Sequence, residues 1–156
     1  MPLKLPALDP ATLPENRGTT YPEPFKSRLG DRARRRLGNA CGLTQFGVNL
    51  VTLGPGGQSA LRHAHSREDE FVYVLSGELV LIANGGEQVL KAGMCAGYPC
   101  GSGDAHHMLN RSKQLAQYLE IGTRVDDDEV TYPDDDLRWV KRGGKEIPAH
   151  KDGRLY

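Results

Sequence analysis

The chain lacks an excess of charge of either sign, with 20 lysines and arginines against 20 aspartates and glutamates. A chain with no net charge does not attract nucleic acid or an anionic membrane as a whole, so we expect neither as a partner. Cysteine is scarce as well. The three cysteines include no C-x-x-C pair, which excludes a disulfide framework and indicates reduced thiols in a cytosolic protein.

Long apolar runs are also absent from the sequence. No stretch approaches the roughly 18 to 20 consecutive apolar residues of a membrane-spanning helix. The first ten residues, MPLKLPALDP, place prolines where a secretory signal peptide has a continuous apolar stretch. We therefore expect no export signal and a cytoplasmic location.

Glycine and proline, by contrast, are abundant, at 19 and 10 of the 156 residues. A chain of this length suggests one domain, and this composition favours many turns over long helices. From about residue 42, strand-like runs such as LTQFGVNLVTL, DEFVYVLS and LAQYLEIGT are separated by turn signals such as GPGG and NGGE. This spacing predicts an all-β sandwich or barrel over residues 41–122.

Residues 1–40 are rich in proline and polar residues, and we expect them to form an N-terminal arm. Within the arm, RLGDRARRRLGNA predicts a short helix that carries a basic cluster of Arg32, Arg34, Arg35 and Arg36. One interpretation of this cluster is a contact with phosphate or nucleic acid. Because no aromatic residues are interleaved with the charges, a solvated arm that packs on the domain or on a partner subunit is favoured.

Residues 123–156 are expected to form an irregular C-terminal tail packed on the barrel. The stretch VDDDEVTYPDDDLRW in this tail carries six aspartates. It lacks the residue spacing of a calcium-binding loop, so a solvated loop is favoured. Tyr132 and Trp139 are predicted to pin the tail onto the barrel, because aromatic side chains are stabilised strongly by burial.

The stretch LRHAHSREDEFVYVLSGELV contains two of the five histidines. Residues i and i+2 of a strand point to the same face, so His63 and His65 aim their imidazoles into one space. Glu70 follows a polar bend that can return it to the same side, and His106 is a candidate for a further ligand. His107 is its rival, because it follows immediately and faces oppositely. Two or three histidines with one carboxylate are a typical ligand set for a first-row divalent metal.

These residues stand in two patterns that resemble the conserved motifs of the cupin superfamily. The first motif, G-x5-H-x-H-x4-E-x6-G, is matched at every fixed position by Gly57, His63, His65, Glu70 and Gly77. The second motif, G-x5-P-x-G-x2-H-x3-N, is matched in its letters by Gly93, Pro99, Gly101, His106 and Asn110. Four residues instead of two separate Gly101 from His106. This insertion lies in the turn SGDA and leaves the spacing from histidine to asparagine intact.

The resemblance implies a double-stranded β-helix, which is the jelly-roll barrel of two sheets found in cupins. It also implies a mononuclear metal held by His63, His65, Glu70 and His106. The sequences that flank the motifs are similar to a group of small single-domain bacterial cupins. Some members of that group are labelled sugar isomerases, and the likeness does not fix a substrate.

The sequence leaves the divalent metal open among iron, manganese, nickel, cobalt and zinc. Four protein ligands leave two open positions on a six-coordinate ion, whereas they saturate tetrahedral zinc. Three classes of function follow: a metal-dependent enzyme that acts on a small oxygenated molecule, a non-enzymatic cupin that binds a small molecule, and a structural metal site. Within the enzyme class, isomerisation or epimerisation of a sugar or sugar phosphate competes with iron-dependent dioxygenation.

Strand parity suggests further residues for the pocket. Tyr98 precedes the Pro99 turn and is the candidate for a catalytic general acid, while either Gln117 or Tyr118 is expected to line the barrel. Cys95 and Cys100 are expected to be small buried residues. Because open sheets must protect their edge strands, we also expect a homodimer in which residues 1 to about 40 cross onto the partner.

Overall fold

The computed structural model describes residues 6–156, and β-strands dominate this range. The helical segments described are a 3-10 turn at Pro10–Thr12 and two four-residue helices, α1 (Phe25–Arg28) and α2 (Leu37–Ala40). The strands are β1 (Arg32–Arg36), β2 (Phe46–Leu53), β3 (Ala64–His65), β4 (Glu70–Ser76), β5 (Glu78–Ala83), β6 (Gly86–Lys91), β7 (Cys95–Tyr98), β8 (His107–Leu109), β9 (Ala116–Thr123), β10 (Val130–Thr131), β11 (Arg138–Arg142) and β12 (Lys145–Ala149).

Two antiparallel sheets form the body of the fold. The larger sheet has the strand order β1-β2-β9-β4-β7, and the smaller has the order β6-β5-β8. Two further pairs, β3 with β10 and β11 with β12, complete the strand pairing. An all-β arrangement of two sheets is what the jelly-roll prediction requires, so the predicted fold class is confirmed.

Alternating side chains set which face of each strand is buried. On β4, Val72 and Val74 are buried, whereas Phe71 and Tyr73 are exposed on the other face. The inward residues of both sheets meet in one apolar core, in which Tyr118 of β9 is fully buried. Burial of such side chains contributes roughly 1.5–3 kcal/mol each. The inner face of the larger sheet is therefore the surface on which any enclosed site is built.

The basic stretch at residues 32–36 is a strand, so the prediction that a short helix carries the arginine cluster is wrong; the helices α1 and α2 lie on either side of it. Strand β1 pairs with β2 along its whole length, with Arg34 opposite Val51. Pairing with an otherwise open strand edge outweighs the local helix preference of these residues. The alternation of β1 then sends Arg32, Arg34 and Arg36 to the inner face of the sheet.

The C-terminal segment is held by its aromatic residues, as predicted. Tyr132 is buried in a second apolar cluster with Phe25, Leu61 and Leu137, and Trp139 packs against this cluster. Trp139 also donates a hydrogen bond from Nε1 to the Tyr132 hydroxyl at 3.0 Å. The segment is more regular than expected, since it adds β10 beside β3 and forms the β11–β12 hairpin.

Gly77 makes the tight connection between β4 and β5, with a φ of 77°. A Cβ at this position would lie 2.7 Å from the carbonyl oxygen of Leu115 and 2.8 Å from Cα of Ala116. Both the left-handed backbone and the close approach therefore require glycine.

The three cysteines carry free thiols, as expected, and all three are exposed. The expectation that Cys95 and Cys100 are buried is therefore wrong. Cys95 lies opposite Tyr73, on the outer face of the larger sheet, and Cys100 follows the end of β7 in a turn. Within residues 6–156, no helix is long and apolar enough to span a membrane.

Candidate metal centre

Three imidazoles converge on one carboxylate oxygen at the end of the sandwich. Glu70 Oε2 lies 2.9 Å from Nε2 of His106, 3.4 Å from Nε2 of His63 and 3.6 Å from Nε2 of His65. His63 and His106 are brought together by an antiparallel bridge between their backbones, and Glu70 begins β4. The four residues that the sequence predicted as ligands thus meet at Glu70. His63, Glu70 and His106 form one group whose ligating atoms lie within 4.8 Å of one another, whereas His65 falls in a second group with Glu68 and Asp128.

The opposite nitrogen of each imidazole faces an acceptor. Nδ1 of His63 lies 2.7 Å from the carbonyl oxygen of Leu61, and Nδ1 of His106 lies 3.3 Å from that of Asp104. Nδ1 of His65 lies 2.5 Å from a carboxylate oxygen of Asp128. These acceptors can hold a proton on Nδ1, so that a neutral imidazole has its lone pair on Nε2, the atom that would bind a metal. An Nε2 that instead donates to Glu70 belongs to an imidazolium. Such a set of donors matches the requirements of a divalent cation.

The electrostatics of the centre follow from this crowding. Burial alone would raise the pKa of Glu70, but hydrogen bonds from His106 and His63 outweigh it and hold the pKa far below its ordinary value. Burial likewise opposes charge on His63, whereas the Glu70 carboxylate raises the pKa of that imidazole. The Glu70 carboxylate is therefore ionised and is stabilised by a nearby positive charge. Either an imidazolium or a bound metal ion supplies such a charge.

His107, the rival ligand, faces away from the centre. Its Nδ1 lies 3.1 Å from the carbonyl oxygen of Ala60, and within residues 6–156 it belongs to neither group of side chains that could hold a metal ion. The parity of β8 explains this difference, because consecutive residues of an extended segment point to opposite sides. The geometry thus favours His106 over His107 as a ligand.

Tyr98 lies behind His106 and does not face the open cavity. Its ring stacks on the imidazole of His106, with centroids 3.3 Å apart and an interplanar angle of 3°. Its hydroxyl is buried without a hydrogen-bond partner in the described range, and burial together with Glu70 raises its pKa. This placement fits a side chain that orients His106 better than one that delivers a proton to a substrate.

A cavity of about 530 Å³ opens beside the centre. His63, His65 and Glu70 line one part of it, and Glu120 of β9 lines another part of the same wall. The Glu120 carboxylate accepts a hydrogen bond from Nδ2 of Asn49 at 2.9 Å. Tyr118, one of the two candidates for lining the barrel, lies in the core instead. Gln117, the other candidate, donates a hydrogen bond to Thr52 on the outer face.

Two polar residues of this region were missed by sequence reasoning. Glu120 shares the inward face of β9 with Tyr118. Because residues i and i+2 of a strand point to the same face, its direction could have been predicted once Tyr118 was known to point inward. Asp128 lies among the acidic residues interpreted as a solvated loop, yet it accepts hydrogen bonds from His65 and from the backbone N–H groups of Arg67 and Glu68. Burial opposes the charge on Asp128, but the hydrogen bonds from His65 and from the two backbone N–H groups outweigh it and lower the pKa of Asp128.

Comparison with known proteins identifies the family of this chain. A family model described as "Cupin domain" matches residues 49–122. The solved structure of a sugar phosphate isomerase from a cupin superfamily of Silicibacter pomeroyi is 38% identical, with a TM-score of 0.91, over 97% of this chain and 96% of that one. The chain therefore belongs to the cupin superfamily, as its two motifs indicated.

Two further solved structures are more distant. A protein of Acidithiobacillus ferrooxidans, described as a candidate sugar phosphate isomerase, is 32% identical over 80% of each chain, with a TM-score of 0.71. A polyketide cyclase of Streptomyces resistomycificus is 20% identical over 77% of this chain and 80% of that one, with a TM-score of 0.62, and shares the fold alone. No curated protein matches this chain at a significant level.

Proposed function

We propose that this protein is a metal-dependent isomerase of a small phosphorylated sugar. The observation that carries the proposal is the convergence of three imidazole Nε2 atoms on Glu70 Oε2 beside a cavity of about 530 Å³. The cupin of Silicibacter pomeroyi, which is 38% identical over 97% of this chain, bears the name of a sugar phosphate isomerase and supports the choice of reaction.

His63, His65, Glu70 and His106 are proposed to hold a divalent metal. When bound, such an ion supplies Lewis-acid stabilisation of negative charge on a substrate oxygen. Three neutral imidazoles and one carboxylate leave a divalent ion with a net positive charge, which suits this purpose. The hydrogen bonds at Nδ1 keep each imidazole in the orientation that its role requires.

Glu120 is proposed to move the proton. Its register opposite Val72 places it diagonally from Glu70 on the same face of the sheet, at a typical distance of about 7–8 Å. From there its carboxylate can take a proton from a carbon that bears a hydroxyl group and return it to the neighbouring carbonyl carbon. In the same conversion the hydroxyl proton passes through solvent to the former carbonyl oxygen, so two protons change place and the composition of the substrate does not change.

The test is proton exchange in deuterated water, followed by NMR, with metal-loaded protein and a panel of aldose and ketose phosphates. We expect interconversion of one pair with incorporation of solvent deuterium. Glu120→Gln removes the base with little change in shape and should lower kcat by roughly 100- to 10,000-fold. His107→Ala, next to a ligand but facing away, is the control that should retain activity.

Absence of exchange and interconversion across the panel, in protein shown to contain metal, would overturn the proposed isomerisation. Saturable binding of a sugar phosphate without turnover would instead assign the chain to the non-enzymatic binding cupins. Oxygen consumption with an iron-loaded sample would assign it to the dioxygenases.

A further inference from the structure

Strand β1 directs a row of arginines into the cavity that contains the metal centre. Arg32, Arg34 and Arg36 all line this cavity, because they alternate along one face of the strand. Arg35 points to the opposite side, where its guanidinium lies 3.1 Å from the Glu15 carboxylate. The same short strand thus carries three cavity-facing arginines and one that is paired elsewhere.

These arginines are poorly neutralised by the protein. Arg34 lies 3.7 Å from Glu120, whereas neither Arg32 nor Arg36 forms an ion pair within residues 6–156. Nε of Arg32 is buried without a hydrogen-bond partner in the same range. Burial and the nearby Arg34 both lower the pKa of Arg32. A partly buried cation whose Nε lacks a partner is costly to desolvate, so the cavity favours the entry of an anion.

The balance of charge in the cavity points the same way. Three arginines line it against two glutamates, Glu70 and Glu120. Glu70 is engaged by the histidines of the metal centre, and Glu120 already accepts from Asn49. The arginine side of the cavity is therefore positive even before a divalent metal is bound.

We infer that Arg32, Arg34 and Arg36 form an anion subsite that binds the phosphate group of the substrate. The inference deepens the proposed function and rests on it for the identity of the substrate. Guanidinium groups match the oxygens of a phosphate group and form charge-assisted hydrogen bonds with them. A phosphate monoester, with two negative charges, suits a row of three arginines better than a single carboxylate does.

The distance across the sheet sets the size of the ligand. Strands β1 and β4 are three steps apart in the larger sheet, which corresponds to roughly 14 Å between their backbones. Long arginine side chains reach across part of this gap. A ligand that touches both ends needs several bonds between its anionic group and its reacting oxygens. A phosphorylated sugar meets this requirement, whereas a small chelating diacid does not.

The experiment uses inorganic phosphate as the probe, titrated by calorimetry at low ionic strength. The full chain is first treated with a chelator, so that phosphate cannot bind through a metal. Arg32→Gln, Arg34→Gln and Arg36→Gln should each weaken phosphate binding by roughly tenfold or more, the loss expected for one hydrogen bond between charged groups. Arg35→Gln should change the Kd by less than about twofold, because its side chain leaves the cavity.

Arg36 is exposed, so Arg36→Gln keeps the test decisive if the partly buried Arg32 variant fails to fold. A hexose phosphate should bind with the same dependence on arginine, and the matching unphosphorylated hexose should not. Binding of a sugar acid with arginine dependence, but not of phosphate, would overturn the assignment to phosphate. If all four arginine variants, the Arg35→Gln control included, bound phosphate with the same affinity, the subsite itself would be overturned.

The two proposals fail in different ways. Arginine-dependent phosphate binding without any isomerisation leaves the anion subsite in place and overturns the proposed reaction. Isomerisation whose KM for the sugar phosphate is unchanged by Arg34→Gln and Arg36→Gln supports the proposed function and overturns the subsite.

Discussion

His65 and Asp128 are joined by a hydrogen bond in which Nδ1 of the imidazole lies 2.5 Å from Oδ2 of the carboxylate. The same carboxylate accepts from the backbone N–H of Arg67 at 2.8 Å, through Oδ1. It is thereby fixed on both sides and cannot turn towards the cavity without losing these bonds. A carboxylate in this position fixes the tautomer of the imidazole and increases its strength as a ligand.

Asp128→Asn is predicted to weaken metal binding by about 10- to 100-fold while leaving the fold intact, as expected for loss of a carboxylate behind a ligating histidine. The affinity is measured by competition with a chromophoric chelator, and folding is followed by circular dichroism. Asp127→Asn is the matched control, because Asp127 is exposed and lies only 3.8 Å from Arg67 in a surface pair. Equal metal affinities of the Asp128→Asn and Asp127→Asn variants would show that Asp128 does not support metal binding.

Separate alanine substitutions of His106 and His107 test the proposed ligand set directly. We expect elemental analysis of wild-type protein purified without added metal to give a stoichiometric divalent metal, and His106→Ala and His63→Ala should both lose it. His107→Ala should retain it, since His107 faces Ala60 on the other side. We expect the metal-free variants to stay folded, because the apolar core does not include the ligands. Retention of metal by His106→Ala together with loss by His107→Ala would reverse the assignment.

The side chains that converge at the candidate centre could be predicted from the sequence because they stand in two short motifs. His63 and His65 are related by strand parity, and the spacings of two motifs fix Glu70 and His106. At least one other motif position has a structural role that becomes visible only in the structure. Asn110, for example, is fully buried and donates from Nδ2 to the carbonyl oxygens of Leu53 and Gln114.

The residues that were missed depend on contacts between distant parts of the chain. Asp128 meets His65 across 63 positions of sequence, and nothing in the local composition distinguishes it from its exposed acidic neighbours. The stretch at residues 32–36 becomes a strand only because β2 offers an edge on which to pair. Its arginines acquire a shared direction from that pairing, whereas the predicted helix would have spread them around its surface.

Gly77→Ala is predicted to destabilise the protein by more than about 2 kcal/mol, since a left-handed backbone alone costs roughly 1–2 kcal/mol for a residue with a Cβ. The remaining cost comes from the approach of that Cβ to the Leu115 carbonyl oxygen at 2.7 Å. Urea denaturation measures the difference. Gly85→Ala is the control, because a Cβ at Gly85 would meet no atom within 4 Å. Similar stabilities of the two variants would contradict the strained connection.

The assembly of the protein is a further prediction, and the structure suggests how two copies would meet. Residues of the N-terminal segment contact their own chain: Asn16 pairs with Arg34, and Phe25 is buried beside Leu61. We therefore place the expected homodimer elsewhere. The outer face of the larger sheet exposes Phe71, Tyr73 and Leu75 of β4, with relative exposures of 39%, 39% and 44%.

This apolar surface continues across the sheet, because Phe71 lies opposite Ile121 and Ile121 lies opposite Val48. Exposed apolar side chains that lie side by side can mark a protein–protein interaction surface, so we predict that a second copy covers this face. Light scattering at micromolar concentration should give the mass of a dimer for the wild-type chain and of a monomer for Phe71→Glu. Val89→Glu, on the other sheet and 47% exposed, should remain dimeric. A monomeric wild-type chain would refute the dimer. A Phe71→Glu variant that remains dimeric would show that this face is not the interface and would favour the N-terminal segment instead.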